Sequence, residues 1–410
     1  MNGSLLYVGN LRAPEGGASG VLIERDQGIR RVRHVGALPA RALPPDTTRL
    51  DGGGGVLIPA LTDMGGFPDR FRRRESLRAE QAEAAACGYG SLVELNPPEG
   101  AAGMNEMLRR SEGGQGRLLP IAALPRARGE MASLAEAGAV ALSDGGAAVE
   151  DSALLYDLMR EAASLSLPLI LSSACPGWTG QARAGRCARY FSLAPLPDAA
   201  FELAVMRILL LAERSGCRVH LSCLTTAGEL AAVRAAKARG VAVSCGVSPF
   251  HAALSEDALF LSGSAAKLSP PLPDEAGREA ILAALADGTV DCLASYHLPC
   301  RRWEKQVPPE QAVAGAPSYR TALGVGLRWL VGRGVLSLPR LIAMMSEIPA
   351  SLLGRESGLA VGGEAAFAVL GDGEEWTVGE GGNEAELLSP FSGQTLRGRI
   401  IHRFFDGRWS

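Results

Sequence analysis

VLIPALTDM, at residues 56–64, is a nearly continuous apolar run, and an amphipathic stretch rich in Ala, Glu and Arg follows it. Apolar runs without alternation are typical of strands that are buried on both faces, as in parallel sheets. Seven similar runs follow in the chain: GSLVELNP (90–97), RLLPIAAL (117–124), AVALSDG (139–145), LPLILSS (167–173), RVHLSCL (218–224), VAVSCGV (241–247) and VDCLASYH (290–297). Eight parallel strands with crossover helices predict an α/β protein built on a (β/α)₈ TIM barrel.

Both ends of the chain, outside this series, alternate short β-like runs with Gly and Pro. LLYVGNL (5–11) lies at one end and GRIIHRFFDG (398–407) at the other. Because a short isolated sheet exposes unpaired edges, we predict that the two ends pair with each other in a small composite β-sandwich domain. The predicted domains are 1–55 and 351–410 for this sandwich and 56–350 for the barrel.

Composition excludes several classes of protein. The 410 residues include 41 Lys and Arg and 44 Asp and Glu, which gives a net charge of −3 and no basic excess for nucleic acid. The chain has no run of about 18 apolar residues and does not open on a signal-peptide pattern, so we predict a cytoplasmic protein without a membrane partner. The eight cysteines form no CxxC pair, which argues against a zinc knuckle.

The ends of the predicted strands, where barrels carry their reactive groups, supply the most informative motifs. With these motifs the chain resembles the dihydroorotases of the amidohydrolase superfamily, from about Gly20 to Trp409. The resemblance rests on segments that follow one another in the family's order: IPALTDMGGFPDR (58–70), ALSDGG (141–146), HLSCLTT (220–226), KLSPPLP (267–273) and LASYHLPC (293–300).

The resemblance implies a metal site, but most of its ligand positions are changed. In active relatives an H-x-H pair, a bridging acidic group, two further histidines and an aspartate bind zinc. The corresponding positions here are Gly65, Phe67, Asp144, Ser172, His220 and Tyr296. Only Asp144 and His220 are candidate ligands, and zinc needs at least three protein ligands even in a catalytic site. We therefore expect no metal and no other cofactor.

The catalytic base and the substrate-binding positions are changed as well. Tyr296 stands where the family has its aspartate, and a phenol with an ordinary pKa near 10 is a poor general base at neutral pH. The family's substrate arginine falls on Asp69, with Arg70 as its neighbour. The family asparagine corresponds to Asn96, and the last histidine of the strand-eight motif is Cys300. We expect no catalytic residue and no recognition of dihydroorotate.

Several polar residues have a structural interpretation as well as a functional one. A buried hydrogen bond between Asp144 and His220 would explain both residues without a metal. His297 and Cys300 suggest a thiol nucleophile, although nothing in the sequence supplies an oxyanion hole. The basic run RFRRRESLR (70–78) is interpreted as a solvated helix start in preference to an anion site or a partner-facing patch.

Three functions remain open from the sequence. The first is a noncatalytic dihydroorotase-like pseudoenzyme that acts as a structural or assembly partner of aspartate transcarbamoylase in pyrimidine biosynthesis, as the resemblance implies. The second is an active cyclic amidohydrolase, of the dihydroorotase, dihydropyrimidinase or hydantoinase type, that binds zinc through Asp144, His220 and rearranged ligands. The third is a metal-free small-molecule binding protein. A homo-oligomer is expected from the resemblance alone.

Overall fold

The computed structural model describes residues 5–26, 29–356 and 358–410, so residues 1–4, 27, 28 and 357 of the predicted sandwich lie outside the described part. The strands are β1 (Leu5–Arg12), β2 (Ala18–Asp26), β3 (Ile29–Val35), β4 (Thr48–Asp51), β5 (Val56–Pro59), β6 (Leu61–Gly66), β7 (Tyr89–Glu94), β8 (Arg117–Leu118), β9 (Ile121–Ala123), β10 (Ala141–Ser143), β11 (Leu169–Ser172), β12 (Ala182–Arg183), β13 (Pro195–Leu196), β14 (Val219–Ser222), β15 (Val243–Val247), β16 (Cys292–Leu293), β17 (Phe367–Thr377), β18 (Thr395–Phe405) and β19 (Arg408–Trp409).

The helices alternate with the central strands. They are α1 (Arg74–Ala86), α2 (Gly100–Ser111), α3 (Met131–Glu136), α4 (Ser152–Ser164), α5 (Arg186–Tyr190), α6 (Asp198–Ser215), α7 (Ala227–Ala238), α8 (Pro249–Ala253), α9 (Ala258–Ser262), α10 (Glu275–Ala286), α11 (Arg302–Lys305), α12 (Tyr319–Gly326), α13 (Leu338–Met345), α14 (Glu347–Leu352) and α15 (Glu384–Leu387). A π-helical turn, Leu327–Val331, extends α12. Among the described residues, no helix combines the length and the apolar character that crossing a bilayer requires.

The barrel wall consists of parallel strands, as the sequence predicts. One sheet joins β6, β7 and β8, and a second joins β9, β10, β11, β14, β15 and β16 in that order. The predicted run at 117–124 supplies both β8 and β9, and it is interrupted at Pro120, which has no N–H for a ladder. Buried Ala, Leu and Val side chains of the strands and helices form the main core. The (β/α)₈ fold is confirmed.

The first predicted run, 56–64, forms two strands instead of one. Val56–Pro59 is β5, which pairs antiparallel with β17 in the terminal sheet. The barrel strand begins only at Leu61, as β6. All four residues of β5 and all six of β6 are buried. The apolar pattern of the sequence therefore does not show where the chain passes from the terminal sheet to the barrel.

The two chain ends form one sheet, which confirms the predicted pairing. Its strands follow the order β19, β18, β17, β5, β1, β2 and β3, with β4 beside β1. The ends are joined by the β17–β5 pair, in which Ala368 lies opposite Ile58, and by backbone hydrogen bonds between β3 and residues 362–365. Side chains from both ends then share a small core, where the rings of Phe367 and Phe404 stack 5.3 Å apart.

The barrel closes between its last and first strands through a buried carboxylate. Asp63 on β6 is fully buried and accepts hydrogen bonds from the Ser295 N–H at 2.8 Å and the Ser295 hydroxyl at 2.5 Å. Just beyond the strands, the Phe67 N–H donates to the His297 carbonyl at 2.9 Å. Burial raises the pKa of Asp63 although these donors favour its ionised form. Asp63 therefore ties β6 to the segment after β16.

Candidate functional site

A cavity of about 350 Å³ opens at the carboxyl ends of the barrel strands. Aromatic rings, hydroxyl groups and one carboxylate line it, and no Lys or Arg is among its lining residues. Four of the predicted site positions take part: Phe67, Asp144, Ser172 and Tyr296. The other predicted positions lie outside the lining, namely Gly65, Asp69, Arg70, Asn96, His220 and Cys300.

Tyr296 lines the mouth and its ring takes the space beside Gly65. A Cβ atom at Gly65 would lie 2.8 Å from Tyr296 Cε1 and 2.9 Å from the Ala294 Cβ, which is closer than such atoms approach. The Tyr296 hydroxyl accepts a hydrogen bond from the Cys223 N–H at 2.6 Å. Burial raises the pKa of this phenol well above its usual value, so it stays protonated at neutral pH.

The backbone holds Tyr296 in an unusual conformation. Its φ of 48° lies in the left-handed region, where a bulky residue is rare and a short polar residue such as Asp or Asn is tolerated. Cys223, which contributes the N–H, also has a positive φ, of 47°. The hydrogen bond between them thus joins two sterically disfavoured residues at the ends of β16 and β14.

Asp144 is engaged by its neighbours at the end of β10. One carboxylate oxygen, Oδ2, accepts hydrogen bonds from the N–H and the hydroxyl of Ser172, both at 2.9 Å. The other oxygen accepts from the Gly146 N–H at 2.9 Å. Burial raises the pKa of Asp144, and the hydrogen bonds from Ser172 and Gly146 oppose that shift. The carboxylate thereby connects the ends of β10 and β11.

His220 lies below the cavity with both ring nitrogens next to other side chains. Its Nδ1 lies 2.9 Å from the Ser244 hydroxyl, and its Nε2 lies 3.9 Å from the Cys292 sulfur. Burial lowers its pKa to about 4, so the ring is neutral at pH 7. The predicted hydrogen bond between Asp144 and His220 is wrong, because each residue has its own neighbouring serine as partner.

The donor set of the mouth does not fit a zinc ion. Gly65 has no side chain, Phe67 presents an apolar ring and Tyr296 presents a phenol, so Asp144 and His220 are the potential ligands that remain. Within residues 5–26, 29–356 and 358–410, the one group of three potential ligand side chains is Cys187, Glu256 and Asp257, which is not part of the cavity lining. Tetrahedral zinc requires three converging protein donors, and the mouth supplies fewer.

Among the residues at the family's substrate positions, Asp69 and Arg70 form ion pairs outside the cavity, and Asn96 forms a backbone hydrogen bond. The Asp69 carboxylate pairs with Arg110, and its N–H donates to Glu94 at 2.6 Å. Arg70 is directed to Glu304, with contacts at 2.6 and 3.0 Å. The Asn96 N–H donates to the same Glu94 at 3.0 Å. None of these residues presents a cation to the cavity, so a substrate carboxylate finds no counter-ion there.

The structure does not support the thiol-nucleophile hypothesis for His297 and Cys300, which the sequence already disfavours. Both ring nitrogens of His297 have partners other than Cys300: Nε2 lies 2.9 Å from a Glu80 oxygen, and Nδ1 accepts from the Ser318 N–H at 3.0 Å. The Cys300 thiol donates to the Leu298 carbonyl at 3.3 Å, and burial raises its pKa to about 11. A neutral thiol without a base is a poor nucleophile.

Two residues that shape the mouth are missed by sequence reasoning. Asp63 lies inside the first motif, but the sequence does not show that it closes the barrel through Ser295. Glu94 is almost fully buried and receives the N–H groups of both Asp69 and Asn96. An acidic residue within an otherwise apolar strand is the sequence signal that could have singled out Glu94. Residues 72–75 of the basic run are exposed and α1 begins at Arg74, in agreement with a helix start, whereas Arg70 is half-buried against Glu304.

Comparison with known proteins agrees with this architecture, although no family model matches the chain. The dihydroorotase of Syntrophus aciditrophicus is 32% identical over 385 residues, and a dihydroorotase-like protein of Pseudomonas aeruginosa is 33% identical over 388 residues; they cover 90% and 91% of both chains. The solved L-hydantoinase of Arthrobacter aurescens shares the fold, with a TM-score of 0.83 at 20% identity over 98% of this chain and 95% of that one. The chain therefore belongs to the dihydroorotase family of the amidohydrolase superfamily.

Proposed function

We propose that this chain is a noncatalytic dihydroorotase-like protein that acts as a structural or assembly partner of aspartate transcarbamoylase in pyrimidine biosynthesis. The observation that carries the loss of catalysis is the packing of the Tyr296 ring against Gly65. That ring takes the space of a ligand side chain at residue 65, and it replaces the carboxylate that the family has at its own position. One aromatic residue thus accounts for two missing catalytic features.

The electrostatics of the mouth support the same conclusion. The groups that could exchange protons there are a phenol with a strongly raised pKa, a carboxylate held by three hydrogen bonds, and a buried histidine with a pKa of about 4. A general base works best when its pKa lies near the working pH and it reaches the reacting atom. The phenol and the histidine have pKa values far from neutral pH, and the carboxylate is already engaged by its three hydrogen-bond donors.

The partner is inferred from the family and from the structural role that the side chains at the former catalytic positions now have. In the dihydroorotase family, noncatalytic homologues serve as partners of aspartate transcarbamoylase, and here the former catalytic side chains tie strand ends together. A fold can persist for assembly when its catalysis is lost, because packing and surface contacts depend on other residues. The outer surface of the barrel is then the functional part of the molecule.

The test of lost catalysis combines metal analysis with activity. Purified protein, loaded with excess zinc and desalted, should retain well under one zinc per chain. It should neither form dihydroorotate by ring closure nor hydrolyse dihydroorotate. One zinc per chain, together with turnover of dihydroorotate or a hydantoin that His220→Ala abolishes, would overturn the proposal in favour of an active cyclic amidohydrolase. His402→Ala, at a partly exposed histidine of the terminal sheet, is the matched control.

The test of the partner is a pull-down of the tagged protein from its native cells. The proposal expects aspartate transcarbamoylase in a fixed ratio to the tagged chain, and the same ratio with Tyr296→Asn, because the mouth takes no part in assembly. Recovery of the tagged chain without the transcarbamoylase at any protein concentration would refute the assembly role.

A second candidate function, small-molecule binding without metal, is favoured by the cavity itself. The cavity persists although its catalytic groups are lost, and it is lined by Phe67, Trp178 and Phe201 with serine hydroxyls between them. Since no lining residue is cationic, an uncharged ring is favoured over an anion. Uracil should raise the melting temperature more than orotate does if this function holds, because a ligand that binds only the native state stabilises it. Equal effects of the two, or none, would exclude it.

A further inference from the structure

Two segments at the mouth end of the barrel meet across the seam where the barrel closes. The guanidinium carbon of Arg301, in the segment that leads into α11, lies 4.8 Å from the ring centroid of Phe71, in the segment after β6. Arg70 lies 5.1 Å from the same centroid, and it also pairs with Glu304 of α11. Side chains that are far apart in the sequence therefore form one surface. We call it the arginine–tryptophan surface, and it consists of residues 71–74 and 301–303.

This surface carries positive charge that the chain does not neutralise. It contains no Asp or Glu, and its arginines are all exposed: Arg72, Arg73, Arg74, Arg301 and Arg302. Within the described part of the chain, none of these arginines forms an ion pair with a carboxylate. The arginines next to the surface are paired, by contrast, since Arg70 contacts Glu304 and Arg110 contacts Asp69. In a chain with a net charge of −3, this is a local excess of cations.

The arrangement is unfavourable for the fold itself. α1 begins at Arg74, and its N-cap residue, Arg73, makes no side-chain capping hydrogen bond. The amino end of a helix carries partial positive charge, so Asp or Glu stabilises it and arginine is repelled. Arg72 has a φ of 50°, in the left-handed region that long side chains rarely adopt. Residues that break local rules without a structural gain are typical of functional surfaces.

An exposed indole lies within the same surface. Trp303 on α11 is 69% exposed, which is a large apolar area to leave in water. A groove of about 550 Å³ adjoins it, with Phe71 and Arg301 also in the lining. Tryptophan and arginine are the residues most enriched among those that dominate the binding energy of protein interfaces. The combination indicates a protein partner with apolar and anionic side chains.

We propose that the arginine–tryptophan surface binds an acidic segment of another protein, with carboxylates of that segment on the arginines and an apolar side chain against Trp303. The planar guanidinium group donates two parallel hydrogen bonds to a carboxylate, which gives such a contact its geometry. A protein segment is favoured over nucleic acid because exposed Glu75 and Glu384 border the surface and would repel a long phosphate backbone. The inference goes beyond the proposed function and does not require the other protein to be aspartate transcarbamoylase.

The first test is the binding of a fluorescein-labelled synthetic peptide, which repeats Glu, Glu and Phe, to the full-length chain. Fluorescence anisotropy is measured in about 0.1 M salt, where charges more than about 10 Å away are largely screened. The double variant Arg73→Glu with Arg301→Glu should raise the Kd about tenfold, because each attraction becomes a repulsion. Arg41→Glu with Arg160→Glu is the matched control, since it makes the same charge change at exposed arginines outside the surface. Failure of the wild type to bind the peptide, or an equal rise in Kd for both double variants, would overturn the proposal.

The aromatic contact is tested by Trp303→Ala, which should also raise the Kd of the peptide about tenfold. Tyr190→Ala is its matched control, because Tyr190 on α5 is 71% exposed, and it should leave the Kd unchanged. Equal effects of the two variants would remove Trp303 from the contact. Urea denaturation should show that Arg73→Glu is at least as stable as the wild type, because it places an anion at the amino end of α1. A loss of stability there would mean that the arginines serve the fold instead.

Other anions decide the class of partner. A single-stranded oligonucleotide with the same number of charges as the peptide should bind more weakly than the peptide does. Tighter binding of the oligonucleotide, lost in Arg73→Glu with Arg301→Glu, would replace the proposal by a nucleic-acid site. Full displacement of the peptide by millimolar inorganic phosphate would replace it by a site for small anions. These outcomes depend neither on a metal in the mouth nor on aspartate transcarbamoylase, so their failure leaves the proposed function standing.

Discussion

Replacing Gly65 by Ala tests the packing of Tyr296 against residue 65, on which the proposed loss of the metal site depends. The added Cβ would lie 2.8 and 3.0 Å from two ring carbons of Tyr296, and 2.9 Å from the Ala294 Cβ. Favourable carbon contacts lie at about 3.5–4 Å, and overpacking of a core typically costs about 1–3 kcal/mol. The backbone of Gly65 is outside the left-handed region, so the cost of Gly65→Ala is steric and not conformational.

The ring contributes two of these three close contacts, and its removal should relieve most of the cost. Tyr296→Asn removes the ring and keeps a residue that tolerates the φ of 48°. We therefore expect Gly65→Ala to destabilise the wild type by about 2 kcal/mol, but to cost under about 1 kcal/mol in the Tyr296→Asn background because only the Ala294 contact remains. The coupling between the two positions should then be about 1–2 kcal/mol.

Urea denaturation of the wild type, Gly65→Ala, Tyr296→Asn and the double variant gives this coupling as a double-mutant cycle. Gly373→Ala is the matched control, because a Cβ there meets no atom within 4 Å, and it corrects for the effect of Ala on the unfolded chain. If the effects of Gly65→Ala and Tyr296→Asn add to within about 0.5 kcal/mol, the two residues are independent. The steric basis of the proposed loss of a ligand at residue 65 would then be refuted.

Three other predictions concern groups around the mouth. Burial raises the pKa of Glu94 to about 7, so the native state holds this proton more tightly than the unfolded chain does. The wild type should lose about 1.4 kcal/mol per pH unit relative to Glu94→Gln between pH 4.5 and 7, and a constant difference in unfolding free energy across that range would contradict it. Arg70→Ala leaves the nearly buried Glu304 without its cation and should cost about 3 kcal/mol in urea denaturation; the exposed Arg73→Ala should cost almost nothing, and equal losses would disprove the pairing. Cys300 should resist iodoacetamide at pH 7.5 in the folded protein, because its thiol has a pKa of about 11, and mass spectrometry showing rapid alkylation would argue for an activated thiol.

The barrel could be predicted from the sequence because its strands are buried on both faces and its helices are amphipathic. The change of sheet between β5 and β6 could not, because Ile58 and Leu61 are both buried apolar residues and differ only in what they face. The pairing of the chain ends was predictable from the exposed edges that each would otherwise leave. Its register depends on side-chain packing between residues some 300 positions apart, which one sequence does not reveal.

Four of the predicted positions, Phe67, Asp144, Ser172 and Tyr296, line the cavity, but the partners of the polar side chains could not be predicted. The motifs place Asp144 at the end of one strand and His220 within another, yet position along a strand does not fix which neighbour a side chain reaches. Ser172 reaches Asp144, and Ser244 reaches His220, although the two serines look alike in the sequence. The sequence also does not show that the Tyr296 ring packs into the space beside Gly65. The two residues are 231 positions apart, and each looks like the separate loss of one family residue.

The polar residues of the mouth share one task, which is to hold adjacent or facing strand ends together. Asp63 ties β6 to the segment after β16, Asp144 ties β10 to β11, and Tyr296 ties the end of β16 to Cys223 after β14. In a metalloenzyme of this fold, a bound ion supplies such cross-links, since its binding energy adds to the stability of the fold. Here side-chain hydrogen bonds supply them. Restoring a single family residue therefore does not restore a ligand set. A histidine side chain at residue 65 would clash with the Tyr296 ring. Removing that ring leaves the Cys223 N–H without its acceptor, and the ligand set is still incomplete.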